Sequence, residues 1–225
     1  MMNDDPLSSG RTLQELAHHS GDPWVPGNKY FQLAEGPIEQ IWHDLVYPFI
    51  QDCDFSSVID LAAGHGRNTR LLASKAARLL VLDIQAANIE ICRRRFVGHQ
   101  NVECAVNNGY DLRPAQDGAF TLLYCFDSMV HFEKEVVRSY LRDTLRVLRP
   151  GGRGFFHHSN YTDGHDWRTN PHSRNYMSRE LFVSYALAEG LRIARQVVFD
   201  WGDCIRLDCL TLVERPVPPR DSAAP

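Results

Sequence analysis

The segment Val58-Ile-Asp60-Leu-Ala62-Ala-Gly64-His-Gly66-Arg-Asn68-Thr69 decides the fold of this 225-residue chain. An apolar β-branched run ends at an acid, passes through two glycines and enters a helical pattern near Arg67. This order predicts a buried strand, a tight turn and a helix start. Gly64 and Gly66 lack the Cβ atoms that would keep a ligand off the backbone. The free N–H groups of the helix start then face a ligand in the turn.

A second acid, Asp83, closes the next apolar run, Leu79-Leu80-Val81-Leu82. In doubly wound α/β sheets an acid at the end of the second strand hydrogen-bonds the ribose of a nucleotide. The turn after the first strand lacks the third glycine of the G-x-G-x-x-G dinucleotide pattern. A ribose-containing ligand held by a different glycine loop is therefore expected.

The stretch Asp60-Leu-Ala62-Ala-Gly64-His-Gly66 resembles the first motif, D/E-x-G-x-G-x-G, of the class I S-adenosylmethionine-dependent methyltransferases. Ala62 replaces the first glycine of that motif, and Asp83 resembles the ribose acid of the family. The resemblance extends from about Cys53 to Val213. It implies S-adenosyl-L-methionine as cofactor and S-adenosyl-L-homocysteine as product.

The composition is that of an ordinary globular chain, with 44% hydrophobic and 23% charged residues. The net charge of −4 gives no basic field for a nucleic acid or an anionic membrane. Six cysteines include no C-x-x-C pair, which favours a reducing compartment. Without an apolar run of spanning length or a leader, we expect a soluble cytoplasmic protein, monomeric or homodimeric.

Strand and helix patterns alternate from Ser57 onward, which predicts a mostly parallel sheet with helices on both faces. The predicted strands are Val58–Leu61, Leu79–Asp83, Val102–Val106, Phe120–Phe126, Gly154–His158, Arg192–Phe199 and Ile205–Val213. The predicted helices are Asn68–Ala77, Ala86–Val97, Lys134–Leu148 (stopped by Pro150-Gly151-Gly152) and one capped by Ser178 that runs to Ala188 and closes at Gly190. The fold class is α/β and Rossmann-like, with seven strands, an antiparallel edge hairpin strand and a helical N-terminal cap.

Four segments divide the chain. Residues 1–21 are expected to be flexible apart from a short helix around Thr12–His19, and 22–52 to form a lid with an amphipathic helix opened by Pro37 and disturbed near its end by Pro48. Residues 53–214 form the cofactor-binding domain, with a polar insertion at 160–177, and 215–225 a disordered tail. In the family such N-terminal segments cap the cofactor cleft, which makes Trp24 a candidate for the acceptor site and Tyr30 for the cofactor site. The alternative is that these aromatics only cover the sheet.

Ligands of open α/β sheets bind at the carboxyl ends of the strands, so the strand ends supply the candidate site. The candidate cofactor residues, besides Tyr30, are Asp60, Ala62, Gly64, Gly66, Asn68, Asp83, Ile84, Asn108, Gly109, Tyr110 and Phe126. Asn108 stands where related enzymes commonly place an acid against the adenine. Its amide can still meet the adenine edge.

Candidate catalytic residues follow the fourth strand, where Asp127 and His131 are four residues apart. This spacing puts both side chains on one face if the turn is helical, and it resembles the acid and histidine of phosphoethanolamine methyltransferases. A histidine near its ordinary pKa can take a proton from an attacking hydroxyl. The alternative is that His131 only packs against the next helix.

The fifth strand ends in two histidines, His157 and His158, which point to opposite faces of the sheet. His158, nearer the tip, is the third catalytic candidate. The candidates for acceptor binding, besides Trp24, are His157, Asn160, Trp167 and Arg174. The last two belong to the polar insertion, which is either a binding loop or a solvated connector.

No metal ion is expected. Asp127 and the nearby histidines lack H-x₃-H or C-x-x-C spacing. Magnesium-dependent O-methyltransferases have adjacent Asp-Asp or Asp-Asn after the fifth strand, and this chain has His-His-Ser-Asn there. The [D/N]-P-P-[Y/F] motif for methylation of nucleic-acid bases and the paired glutamates for protein arginine are also missing after the fourth strand.

The sequence therefore favours a methyltransferase that acts on a small polar acceptor, with O-methylation of a sugar-like or secondary-metabolite hydroxyl and a histidine base. The alternatives are an N-methyltransferase of a small amine and a cofactor-binding regulator without turnover. Titratable groups beside the expected methyl position argue against the regulator, since binding alone does not need them.

Overall fold

The computed structural model describes residues 10–21, 34–163 and 171–219. Trp24, Tyr30 and Trp167 lie outside these ranges, so the predictions made for them are left as they stand. The same holds for most of the predicted lid before Ala34 and for the tail from residue 220 onward.

Within the described ranges, seven strands form one sheet in the order β3-β2-β1-β4-β5-β7-β6. They are β1 (Val58–Leu61), β2 (Leu79–Asp83), β3 (Val102–Val106), β4 (Phe120–Cys125), β5 (Leu148–Ser159), β6 (Arg192–Trp201) and β7 (Cys204–Glu214). Strands β1 to β5 pair in parallel, whereas β7 runs antiparallel to both β5 and β6. The predicted fold is confirmed. The hairpin lies with β7 inside the sheet and β6 at its edge.

The α-helices are α1 (Leu13–Gly21), α2 (Ile38–Ile41), α3 (Tyr47–Ile50), α4 (Thr69–Ala73), α5 (Ala86–Arg95), α6 (Lys134–Val147) and α7 (Arg179–Ala188). Two apolar layers cover the two faces of the sheet. One contains Leu16 and Ala17 of α1 with the inner faces of α6 and α7. The other contains the buried residues of α2 to α5. Strand β1 has β2 on one side and β4 on the other, so the order in which successive strands are added to the sheet reverses at β1. A cleft opens at the carboxyl ends of the strands at such a reversal.

Pro48 does not disturb the end of its helix as expected. The chain stays helical to Ile50, and the irregularity precedes the proline as a π-helical turn, Trp42–Val46, between α2 and α3. In this turn the Tyr47 N–H reaches back to the Trp42 carbonyl. Widening one turn makes room for the proline ring, which would otherwise clash with the carbonyl four residues earlier.

Two segment ends also differ from expectation. Helix α6 ends at Val147, and Pro150-Gly151-Gly152 lies inside β5 instead of stopping the helix. The tail was expected to be disordered from Arg215 onward, but Arg215 itself is held to β5. Its carbonyl accepts from the Gly151 N–H, and its N–H donates to the Gly152 carbonyl. The Arg215 guanidinium also donates to the Leu148 carbonyl at 2.6 Å. These bonds satisfy carbonyls at the end of α6 that no intrahelical N–H reaches.

Part of the segment expected to be flexible is a packed helix. The predicted short helix is present as α1, where Thr12 and Glu15 cap each other: the Thr12 N–H donates to Glu15 Oε2 (2.7 Å) and the Glu15 N–H to Thr12 Oγ1 (3.2 Å). Leu16 and Ala17 are each 5% exposed in the core. Tertiary burial therefore orders a helix too short to be stable alone.

Candidate functional site

A cleft of about 940 Å³, its open mouth included, lies at the carboxyl ends of the central strands. Its size is within the range of small-molecule sites. The predicted cofactor residues that line it are Ala62, Gly64, Asn68, Asp83, Ile84, Gly109 and Phe126. The structure brings these residues to one wall because parallel strands end at the same edge of the sheet.

The loop after β1 has a strained backbone. Ala62, Gly64 and Gly66 have φ angles of +56°, +57° and +79°, in the left-handed region that favours glycine. Gly66 does not line the cleft; a Cβ there would lie 2.6 Å from the Phe96 ring. Gly66 therefore allows the loop to pack closely against Phe96 and Cys92 at the end of α5.

Asp83 connects the tip of β2 to this loop. Its carboxylate accepts hydrogen bonds from the Gly64 N–H (2.9 Å), the Gln85 N–H (2.8 Å) and Asn88 Nδ2 (3.1 Å). Burial raises the pKa of Asp83, although the hydrogen bonds from Gln85 and Gly64 oppose the shift. These three hydrogen bonds hold the Asp83 carboxylate in one orientation at the cleft wall. A carboxylate held in this way can accept from the two hydroxyls of a diol.

Asp60 is buried beneath the loop and does not line the cleft. Thr69 Oγ1 donates to its Oδ2 at 2.5 Å, which fixes the start of α4 against β1. Burial raises the pKa of Asp60 to about 7, and the Thr69 hydrogen bond opposes the shift. This acid stabilises the turn from below instead of contacting the ligand space.

The third strand end is arranged differently from the prediction. Asn108 does not line the cleft, because its Oδ1 accepts from the backbone N–H groups of Tyr110 (3.1 Å) and Asp111 (3.0 Å) in a local turn. Asn107 lines the cleft in its place, with Nδ2 donating to the Tyr140 hydroxyl at 3.0 Å. Tyr110 packs against the core and is also absent from the wall. The candidate adenine contact therefore moves from Asn108 to Asn107.

Asp127, at the tip of β4, pairs with Arg67 from the loop after β1. The Arg67 Nη2 to Asp127 Oδ2 distance is 2.5 Å, and both side chains are largely buried at the cleft wall. Asp127 has a φ of +56°, and its backbone N–H donates to His157 Nδ1 at 3.1 Å. The structure thus places an ion pair, not an isolated carboxylate, beside the expected methyl position.

His131 lies in the cleft wall, in a 3₁₀ turn formed by Met129–His131. Its Nδ1 lies 2.6 Å from the Ser173 carbonyl oxygen. A carbonyl only accepts, so Nδ1 carries the proton and Nε2 is the unprotonated nitrogen. Burial and then the nearby Arg174 charge lower the pKa of His131 to about 4. The sequence-based assumption of an ordinary histidine pKa is therefore wrong.

His158 does not reach the cleft. Its ring stacks on Phe182 of α7 with ring centres 3.9 Å apart, and its Nε2 accepts from Thr211 Oγ1 at 2.8 Å. Burial lowers the pKa of His158 to about 3. The strand's alternation turns His158 to the α7 face and His157 to the opposite face, towards Phe126 and Asp127. The prediction that His158 looks into the cleft is therefore wrong.

The predicted acceptor-binding residues also have other partners. His157 does not line the cleft; its Nε2 donates to Asp208 Oδ2 at 2.9 Å. Arg174 is buried and pairs with the same Asp208. Asn160 is outside the cleft, where its amide donates to the Arg206 carbonyl (2.9 Å) and accepts from the Arg179 N–H (3.1 Å). These residues support the site's framework.

Wall residues that were not among the predicted site residues include Arg67, Asn107 and Ala17. Arg67 directly follows the second glycine, and Asn107 belongs to the strand end Asn107–Tyr110 that the sequence points to, although the adenine contact was expected from Asn108. Ala17 had no local signal, because α1 reaches the site only by tertiary packing. A Cβ on Gly109 would lie 2.9 Å from the Ala17 Cβ, so α1 covers this end of the cleft.

The described residues contain neither a metal-binding cluster nor a membrane-spanning helix. Within 10–21, 34–163 and 171–219, no group of three or more His, Cys, Asp or Glu side chains is placed to hold a metal ion. In the same ranges no helix is both long and apolar enough to cross a bilayer.

The cleft fits an adenosine-type cofactor on its own geometry. Three wall residues suit the adenosine half: Asp83 as a carboxylate that can accept from a diol, Ile84 as an apolar flank, and Gly109 with a φ of +86°. A Cβ on Gly109 would lie 2.4 Å from the Ile84 side chain, so only glycine allows the end of β3 to pack this closely against Ile84. Gly64, which has no Cβ, lets the backbone of the loop form part of the cleft wall directly.

Comparisons with known proteins agree with this geometry. A family model described as a methyltransferase domain matches residues 58–152. A demethylmenaquinone methyltransferase of Clavibacter sepedonicus is 30% identical over 118 residues, which are 51% of this chain and 46% of that protein. A protein of Mycolicibacterium smegmatis named "Probable S-adenosylmethionine-dependent methyltransferase" is 28% identical over 170 residues, 72% of this chain and 61% of that protein.

The structure of a geranyl diphosphate C-methyltransferase from Streptomyces coelicolor is similar, with a TM-score of 0.66 at 15% identity; it covers 92% of this chain and 99% of that one. This likeness shows the fold. The chain spans about half the length of the demethylmenaquinone methyltransferases that it matches, at 46% and 50%. The matched family model, the Asp60–Gly66 motif and the sheet order support one assignment: residues 58–152 form a methyltransferase domain of the class I S-adenosylmethionine-dependent type.

Proposed function

We propose that this chain transfers a methyl group from S-adenosylmethionine to a hydroxyl of a small polar acceptor, sugar-like or of the secondary-metabolite kind, with His131 as general base. The observation that carries the proposal is the His131 ring in the cleft wall. Its Nδ1–H donates to the Ser173 carbonyl at 2.6 Å, so Nε2 holds the lone pair that can accept a proton.

The cofactor would occupy the cleft between the loop after β1 and the tip of β2. Asp83 would hold the ribose, while Asn107, Ile84 and Gly109 would surround the adenine. The methionine moiety would lie along Gly64 and the helix start at Asn68. When bound, S-adenosylmethionine supplies an electrophilic methyl group on its sulfonium.

The base is neutral at physiological pH, because the pKa of His131 is lowered to about 4. As the acceptor oxygen attacks the methyl group, its proton would pass to His131 Nε2. The imidazolium formed in this step would be stabilised by the Asp127 carboxylate, one of the groups that favour the charged ring. The ion pair with Arg67 would hold that carboxylate at the tip of β4.

The decisive experiment is the variant His131→Ala, assayed by formation of S-adenosylhomocysteine with an acceptor found in a hydroxyl-metabolite screen. We expect kcat to fall by roughly 10²–10⁴-fold, the usual contribution of a positioned base, with little change in cofactor affinity. His158→Ala is the matched control, because it removes a buried histidine on the other face of the sheet, with expected loss of stability only. The acid limb of the wild-type rate should lie near pH 4, not near pH 6.5.

Near-wild-type turnover of His131→Ala on the true acceptor would contradict the base. The N-methylation alternative would then gain, since an amine already neutral when bound needs no base. Cofactor binding without turnover on any acceptor in a broad screen would instead favour the regulator. A cytoplasmic location, a monomeric or homodimeric state and the lack of a nucleic-acid partner stay predictions.

A further inference from the structure

A buried carboxylate on β7, Asp208, connects both candidate catalytic residues of the cleft to the sheet. Its side chain is fully buried. Arg174 donates to it twice, from Nε to Oδ1 at 2.7 Å and from Nη2 to Oδ2 at 2.5 Å. His157 Nε2 donates to Oδ2 at 2.9 Å. Burial alone would raise the pKa of Asp208, but His157 and Arg174 hold it well below its usual range.

The first branch of this network leads to His131. Arg174 follows His172 and Ser173, both with left-handed φ angles (+53° and +55°) that non-glycine residues rarely adopt. Such strain persists only where surrounding contacts impose it. The fork of Arg174 on Asp208, with Nη1 on the His172 carbonyl at 2.8 Å, supplies such contacts. The strained backbone in turn aims the Ser173 carbonyl at His131 Nδ1.

Asn175, the residue after Arg174, binds the same segment to the 3₁₀ turn that contains His131. The Asn175 N–H donates to the Val130 carbonyl at 2.9 Å, next to His131 in the 3₁₀ turn. The Asn175 carbonyl accepts from Ser159 Oγ at 2.6 Å, which attaches the same segment to the end of β5. Segment Ser173–Asn175 therefore holds both the ring and the backbone of the 3₁₀ turn.

The second branch leads to Asp127. Because His157 Nδ1 accepts the Asp127 N–H at 3.1 Å, it carries no proton, and the proton on Nε2 is the one donated to Asp208. The bond from the Asp127 N–H fixes Asp127 in its left-handed conformation, from which the carboxylate reaches Arg67. The Asp208 carboxylate is thus connected to Asp127 through His157 and to His131 through Arg174 and Ser173.

We propose that Asp208 and Arg174 are positioning residues that fix the His131 ring in the tautomer protonated on Nδ1, with Nε2 as proton acceptor. The inference rests on the proposed function for its catalytic meaning. The charged groups near the ring are Asp127 from the strand-4 tip, Arg174 from the 171–175 segment and Asp208 from β7. Both positioning residues act through other groups and line no part of the cleft.

The test uses long-range ¹H–¹⁵N NMR of the full chain labelled in its histidine rings, with His131 assigned by its missing signal in His131→Gln. The wild type should give the Nδ1-protonated pattern and a titration midpoint well below pH 6.5. Asp208→Asn and Arg174→Met should give a mixture of tautomers, and kcat should fall by about 10- to 100-fold with unchanged cofactor affinity. Arg174→Met should also move the midpoint to higher pH, because it removes a positive charge that disfavours imidazolium.

Arg142→Met is the matched control, because Arg142 is an exposed arginine of α6 that pairs with Glu189 and does not line the cleft. It should leave the tautomer and midpoint unchanged. Where the two strong variants do not fold, Arg174→Lys, which keeps the charge but loses the fork, should fold and still mix the tautomers. A wild-type tautomer and midpoint in the folded variants would overturn the proposal. A changed tautomer together with full turnover of His131→Ala would leave the positioning in place and remove the base role.

Discussion

Asp83 shows how one side chain joins two parts of the cofactor site. It is 5% exposed, and its oxygens already accept from Gly64, Gln85 and Asn88 without a ligand. A bound diol would add donors to a carboxylate whose pKa burial raises. Asp83 thus holds the glycine loop through the Gly64 N–H and also lines the cleft.

We expect Asp83→Ala to weaken cofactor binding by roughly 1–3 kcal/mol, the scale of a lost charge-assisted hydrogen bond. The fold should survive, since the acid lies at a strand tip. Isothermal titration calorimetry with S-adenosylhomocysteine measures the change. Asp111→Ala is the control, because Asp111 pairs with Arg113 and does not line the cleft. Equal affinities of the wild type and Asp83→Ala would remove the ribose assignment.

Ala62, at the position of the motif's missing glycine, has the φ angle of +56° that a glycine there would accommodate more easily. A left-handed L-residue costs about 1–2 kcal/mol, whereas glycine costs about 0.5–1 kcal/mol in chain entropy. Ala62→Gly should therefore keep or raise the free energy of unfolding by up to about 1 kcal/mol. The neighbouring Ala63, which has no left-handed φ, is the control: Ala63→Gly should lower it. Urea unfolding measures both, and equal losses would contradict the strain.

At the scale of elements, α1 contributes more than its sequence suggests. Its capping box and the buried pair Leu16 and Ala17 fix it beside α6. Ala17 then lies against Gly109 at the end of the cleft where the proposed function puts the adenine. A helix that was expected to be a minor ordered part of a flexible segment thus forms a wall of the site.

Leu16→Ala should lower the free energy of unfolding by about 2–5 kcal/mol, since it removes a core side chain and leaves a cavity. Cofactor affinity should fall with it, because Ala17 would lose its support. Gln14→Ala, on the exposed face of α1, should change stability by less than about 0.5 kcal/mol. If chemical denaturation gives both variants the same stability, α1 does not pack as described.

At the scale of the whole molecule, the absence of a metal requirement stays a prediction. The groups around the strand-4 tip are engaged with one another: Asp127 with Arg67, His157 with Asp208, and His158 with Thr211. We expect activity to persist in excess chelator without added magnesium. A complete loss that magnesium restores would mean that oxygen ligands in this region hold an ion.

The sequence by itself determined the sheet, its helices on two faces and the edge that carries the cofactor cleft. These features follow from local signals: apolar runs such as Val58–Leu61 and Leu79–Asp83, positive φ at Gly64 and Gly66, and acids at strand ends. Each signal lies within a few residues of the feature that it predicts. Parallel strands then bring their ends together whatever the details of the helices.

Only the tertiary structure decided which side chains meet at the site. Arg67 and Asp127 are 60 residues apart in sequence, and His157 and Asp208 are 51 apart. The choice between His157 and His158 depends on the strand's alternation relative to its neighbours, which spacing alone does not fix. The pKa of His131 depends on burial and on Arg174, brought to it by the buried carboxylate of Asp208. Local patterns specify backbone conformation, whereas protonation and pairing depend on partners distant in sequence that only the folded chain brings into contact.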